Sequence, residues 1–147
     1  MKLMWKVSND IFGPVSFMKN EDLIKYWIEA SQIDFQAMQN LFNSGDFIWS
    51  LFLGHLVIEK LLKALIVYTD NEYVPKIHDL NKLAKAAGLQ LDESKKNLFD
   101  IITSFNIEAR YPDYKREFYN KSDFKFTSGF IEKIKETRLW LLELLPK

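Results

Sequence analysis

The chain contains no cysteine. A disulfide framework and a cysteine-based zinc ribbon are both excluded, and the composition fits a reducing compartment. Histidine is almost as scarce, with only His55 and His78 in 147 residues. No carboxylate cluster accompanies them, so neither a metal centre nor a cofactor is expected. Lys plus Arg equals Asp plus Glu at twenty each. That balance excludes a polycation gripping nucleic acid through bulk charge and leaves room only for local basic patches. A serine nucleophile elbow, a glycine-rich phosphate loop and a paired-cysteine motif are all missing. Strand-like alternation, internal repeats and low-complexity tracts are absent too. The N-terminal stretch carries Lys2, Lys6 and Asp10 and lacks the continuous apolar run of a signal peptide. The most apolar stretch is interrupted by Glu59, Lys60 and Lys63, too early to span a bilayer. The expectation is a cytoplasmic protein with no membrane contact.

That apolar stretch, Phe47 to Tyr68, is the organising element. It has no proline and one glycine, Gly54. At about 100° per residue, His55, Glu59, Lys60 and Lys63 fall within one arc of roughly 140°. The rest of its circumference is Leu, Ile, Val, Phe, Ala, Trp and Tyr. A helix this apolar has to be wrapped by others, with its polar stripe turned to a groove, a partner or solvent. An all-α, up-and-down antiparallel bundle of about five helices follows.

Two units are expected: an arm over residues 1–19, broken at Gly13-Pro14, and a helical domain over residues 20–147. The first helix runs from Asn20, a candidate N-cap, to Asn43, with Glu21 and Asp22 favouring the positive end of its dipole. Leu23, Trp27, Ala30, Asp34, Ala37 and Leu41 form a seam at spacings of three and four. Gly45 ends this helix and Asp46 caps the next, so the two pack as a hairpin. Asp79 caps a short helix over about Leu80 to Ala87, ended by Gly88, and Asp92 caps one running to about Asn106. Ile107 to Asp123 reads as an ordered loop rich in aromatic and charged groups, because Pro112 blocks a helix. The last helix is expected over about Thr127 to Leu145.

Asp34 stands in an apolar seam, where a carboxylate needs a partner or a raised pKa. Lys60, Lys63 and His55 on the facing helix are the candidates. The network either fixes helix register or orients a site. His55 and Glu59, at i and i+4, present two potential ligands on one face; the plainer reading is a hydrogen-bonded pair with Glu59 bridging on to Lys63. His78 is a ligand, a base or a loop anchor. In Arg110-Tyr111-Pro112-Asp113, Arg suits phosphate and Tyr offers a face for a base, with Lys115 and Arg116 adding positive charge. The alternative is an Arg bridging a loop corner.

These pieces in this order resemble a HEPN domain, the "higher eukaryotes and prokaryotes nucleotide-binding" family. The resemblance is carried by Trp27, Ala30, Asp34 and Ala37, by Gly45-Asp46, and by His55, Ile58, Glu59-Lys60 and Lys63-Ala64-Leu65. Pro75, His78-Asp79-Leu80, Leu83 and Ala109-Arg110-Tyr111-Pro112-Asp113 complete it. It implies a helical bundle that often forms a homodimer. It also implies a nucleotide- or RNA-binding or partner-docking role, as the member of a toxin–antitoxin-like pair opposite a minimal nucleotidyltransferase. Arg110, Tyr111, Lys115 and Arg116 would bind nucleotide above a polar network of Asp34, His55, Glu59, Lys60, Lys63, His78 and Asp79. A branch of the family is similar to metal-independent endoribonuclease toxins, whose motif is Arg, four to six residues, then His. Here Lys115, Arg116 and Glu117 occupy those positions. The usual general base is missing, so the resemblance carries over binding roles for Arg110 and Tyr111 without catalytic residues; the alternative is a metal-independent endoribonuclease toxin with an atypical active site lacking that His, in which Arg110 would be the catalytic residue.

Overall fold

A computed structural model describes residues 20–69 and 73–147. Six helices make up the described chain: α1 (Asn20–Asn43), α2 (Phe47–Tyr68), α3 (Leu80–Ala86), α4 (Glu93–Arg110), α5 (Glu117–Lys121) and α6 (Phe124–Leu144). The arm expected over residues 1–19 lies outside the described residues.

The α1–α2 connection is as tight as its sequence implies. Gly45 adopts φ +82°, its N–H donates to Phe42 O and the Asp46 N–H reaches back to Leu41 O. This paired closure satisfies the last carbonyls of α1 and needs a residue free of Cβ strain. The two helices therefore return antiparallel. The other long helices are ordered by their contacts. Arg138 of α6 meets Gln32 and Phe35 of α1, while Phe124 stacks on Phe42. Lys95 of α4 sits over Trp140 of α6, and Phe105 packs on Phe126 and Phe130. α1, α2, α4 and α6 thus run up, down, up and down, with α2 packed against α1, α3, α4 and α6.

Burial explains why α2 is central. Leu51, Val57, Ile58, Leu61, Leu62, Ala64 and Ile66 are all shut off from solvent. A Cβ on Gly54 would lie 2.5 Å from Ile134 Cδ1 and 3.3 Å from Met38 Sδ, so α1 and α6 close on α2 where it has no side chain.

The structure revises three expectations. α4 continues to Arg110 instead of stopping near Asn106, because Phe105 and Ala109 extend its buried face. It ends where Pro112 excludes helical backbone for Tyr111. The segment expected as a loop also contains α5, making six helices rather than about five. α6 starts at Phe124, one turn early, because Asp123 Oδ1 accepts the Phe126 N–H at 2.8 Å. Asp79 and Asp92 cap α3 and α4 as expected. Asp46 holds the cap position of α2, but its side chain makes no capping bond.

Candidate functional site

The polar stripe of α2 divides into two flanks. Lys60 turns to α1 and sets its Nζ 2.6 Å from Asp34 Oδ2, an ion pair not aligned as a hydrogen bond. Asp34 is not fully buried; its side chain keeps 14% of its exposure. This pair pins the register of the α1–α2 hairpin and is separate from the other polar groups.

His55, Glu59 and Lys63 are all buried; the first two turn to the His78 segment, while Lys63 lies between Glu59 and α1. Glu59 is the hub. Its Oε1 accepts from His78 Nδ1 at 2.6 Å, and its Oε2 faces Lys63 Nζ at 3.4 Å. The Lys63 ammonium also lies 5.5 Å from the centre of the Trp27 ring on α1. A buried cation thus has a carboxylate on one side and a π face on the other. His55 does not hydrogen-bond Glu59, since Nε2 stands 4.0 Å from Oε1. Its Nε2 donates instead to the backbone carbonyl of His78 at 2.8 Å, leaving Nδ1 as an unpartnered buried acceptor. His78 is consequently held twice, by its carbonyl and by its ring. Asp79 takes no part in this cluster, because its Oδ1 caps α3 at the Lys82 N–H. The expected single network is therefore three arrangements: a register pair, a Glu59-centred cluster and a helix cap.

Arg110 emerges at the end of α4. Its Nε donates to Asn106 O at 2.9 Å, and its guanidinium lies 5.7 Å from the Phe52 ring and 5.4 Å from the Tyr111 ring. The side chain is thereby oriented, while its terminal nitrogens have no hydrogen-bond partner among the described residues. Asp113 folds the following turn: its carbonyl accepts from the Arg116 N–H and its Oδ1 from the Glu117 N–H. Arg116 closes the turn in the left-handed region, at φ 54° and ψ 42°, the only non-glycine residue with positive φ among those described. Such a conformation costs about 1–2 kcal/mol. Lys115 and Arg116 point to solvent, and neither they nor Arg110 meets a carboxylate among the described residues. Tyr111 and Tyr114 are exposed beside them, Tyr114 to 91%.

The two regions share a track on α2. Phe52, His55 and Glu59 are three and four residues apart and so lie on one face. Arg110 meets the first of them and His78 the other two. This α4–α2–His78 arrangement extends over most of the helical frame, and so does the match to the family model for the HEPN domain, which spans residues 24–140. The chain belongs to the HEPN domain family. Among solved structures, TT1696 from Thermus thermophilus superimposes with a TM-score of 0.71 at 19% identity. The alignment covers 83% of this chain and 98% of that one. At that identity the likeness is one of fold. No curated protein matches the sequence.

Within this HEPN domain, three supporting residues had no distinct signal in the sequence. Phe52 and Asn106 orient Arg110, and Thr103 Oγ1 accepts the Leu80 N–H at 3.1 Å, docking the His78 segment on α4. Only Asn106 was within reach of a sequence argument, being four residues before Arg110 on the same helix. Among the described residues there is no group of three or more His, Cys, Asp or Glu arranged to hold a metal, and no helix is long and apolar enough to cross a membrane.

The burial of His55 has a consequence for stability. Desolvation holds its pKa below 6.5, outweighing the hydrogen bond to His78 O and the charge of Glu59, both of which favour the cation. The unfolded chain therefore takes up this proton at a higher pH than the folded one. The His55 contribution is complete above pH 6.5 and is lost as pH falls towards the folded value. Melting temperatures measured from about pH 7.5 to about pH 5 should fall with acidification. The fall should be shallower in His55→Gln; an unchanged slope would remove His55 as its source.

Proposed function

We propose that this HEPN-family chain binds a nucleotide or an RNA segment through the Arg110–Arg116 loop. We propose further that it works as a homodimer, as the HEPN member of a toxin–antitoxin-like pair with a minimal nucleotidyltransferase. The observation that carries the binding role is the state of the three cations. Arg110 is positioned by Phe52, Tyr111 and Asn106, yet its terminal N–H groups have no acidic partner among the described residues, and Lys115 and Arg116 are equally uncommitted. A guanidinium fixed in direction and left unpaired suits a phosphate oxygen. The exposed rings of Tyr111 and Tyr114 lie alongside for a base to stack on. Arg116 supports the same reading, since a left-handed turn held by a non-glycine residue points to a function for that residue. The nucleotidyltransferase pairing rests on family membership alone.

Fluorescence anisotropy with labelled single-stranded RNA, competed by mononucleotides, tests the binding role. Wild type should bind in a salt-dependent manner. Arg110→Ala should weaken binding by roughly tenfold to a hundredfold, the scale of one charge-assisted hydrogen-bonded contact. It should also make the slope of log affinity against log salt shallower by about 0.7. Equal affinity in the two proteins would rule out Arg110 as the phosphate contact.

A further inference from the structure

We propose that residues 1–19 dock on the bundle they lead into, with Ile11 and Phe12 filling an apolar groove formed by the first turns of α1, the end of α2 and Pro146. The inference stands apart from the nucleotide-binding role and does not depend on it.

The groove encloses about 700 Å³, and its floor is Ile24, Ile28, Tyr68 and Pro146. Ile24 is buried, Ile28 is half-buried against the core, and Tyr68 keeps 49% of its exposure. The rim carries both signs, Glu21 and Glu29 beside Lys25 and Lys147, with Lys25 and Glu29 paired at 3.8 Å. Balanced charge gives an ion no preference, so the apolar floor decides the occupant. A second groove, between α4 and α6, differs in this respect. There Lys95 covers the Trp140 ring at 4.4 Å and Lys133 the Phe130 ring at 5.2 Å, so its aromatic groups already have partners.

The sequence supplies an occupant of matching chemistry. Ten of residues 1–19 are apolar, Leu3, Trp5, Ile11, Phe12 and Phe17 among them. Left in water, such a stretch forfeits the burial free energy of several large side chains. The chain enters α1 at Asn20, and Ile24 and Ile28 lie about 6 and 12 Å along the helix from that point. Eight residues separate Phe12 from Asn20, enough for about 26 Å of extended chain. That excess lets the chain reverse at Gly13-Pro14, a pair suited to a turn, and lay Ile11 and Phe12 back over the two isoleucines. A link this short holds the segment near its groove at about millimolar effective concentration, which favours a chain's own segment over that of a second copy. Phe52, where Arg110 rests, and Tyr68 are sixteen residues apart on α2, about 24 Å. Docking therefore covers the end of the core remote from the Arg110–Arg116 loop and leaves that loop open.

The experiment uses the full-length chain, in which two introduced cysteines are the only thiols. Under mild oxidation Phe12→Cys/Tyr68→Cys should form a disulfide within one chain, read as a faster-running monomer on a non-reducing gel. Phe12→Cys/Ile101→Cys, which offers the α4–α6 groove instead, should stay reduced under the same conditions. Ile11→Ser/Phe12→Ser should lower the melting temperature by roughly 5–15 °C, the loss of two buried apolar side chains. Equal bonding of both cysteine pairs, bonding to position 101 alone, or a disulfide joining two chains overturns the proposal. So does a melting temperature within about 2 °C of wild type, the behaviour of an exposed site. Thermal loss without the bond to position 68 puts the segment on another surface and overturns this groove.

Discussion

Phe105→Ala should lower the stability of the domain by about 3–5 kcal/mol. Phe105 is 1% exposed and is surrounded by rings: Phe118 of α5 at 5.7 Å, Phe126 at 6.5 Å and Phe130 at 5.2 Å between centroids. Truncation removes the apolar contacts and leaves a cavity that three rigid rings cannot easily fill. The loss is not confined to α4. Phe118 is the one buried side chain of the five-residue α5, and it packs on Phe105. The Arg110–Arg116 turn that precedes α5 is therefore anchored from both sides by this cluster. Against a total of about 5–15 kcal/mol, calorimetry should show a melting temperature lower by roughly 6–20 °C for a chain of this size. A fall of a degree or two would mean that the aromatic cluster relaxes far more readily than its packing implies.

Glu59→Ala should be similarly damaging, for a different reason. The substitution strands the Lys63 ammonium, 7% exposed, against Trp27 with no counter-charge, and it detaches the His78 ring. Breaking a buried pair from one side costs about 3–5 kcal/mol, because the remaining ion keeps its desolvation penalty. Removing both charges should recover most of that loss. The double variant Glu59→Leu/Lys63→Met is expected to melt close to wild type, since a well-packed apolar replacement for a buried pair is often neutral. Chemical denaturation of Glu59→Leu, of Lys63→Met and of the double variant gives the coupling directly. Additive losses would show that Lys63 and Glu59 are stabilised independently. A recovered double variant would still lack the Glu59 anchor of the His78 ring, so the stability of the frame and the placement of that ring become separately measurable.

The fold is legible where the sequence carries local rules. The Asp79 and Asp92 caps, the Gly45 and Gly88 closures and the apolar circumference of α2 are all short-range codes. The stretch from Ile107 to Asp123 reads as a loop because Pro112 and alternating aromatic and charged residues dominate it. Two short-range signals there point the other way. Ala109 continues the buried face of α4, and Asp123 stands three residues before the Phe126 amide it caps. The candidate site is legible only as a set of residues. Glu59 and Lys63 sit at the i, i+4 spacing that brings them together. The division of the stripe, with Lys60 going to Asp34 and Glu59 to His78, depends on which helix lies on each flank. Glu59 and His78 are 19 residues apart across the α2–α3 connection, and no periodicity encodes such a meeting. Arg110 stands out by residue type, but its setting between Phe52 and Tyr111 is a product of α4 reaching α2.

The close approach at Gly54 limits how this chain can drift. Any side chain at position 54 must displace the Ile134 tip or the Met38 sulfur, and both residues are sealed in the core. The three positions, on three different helices, share a single volume. A larger residue at one has to be met by a shift or a shortening at another, and the Ile134 Cδ1 tip, the end of a flexible side chain, is the first atom to give. Substitutions at these sites are therefore coupled through packing, although the three positions are far apart in the sequence.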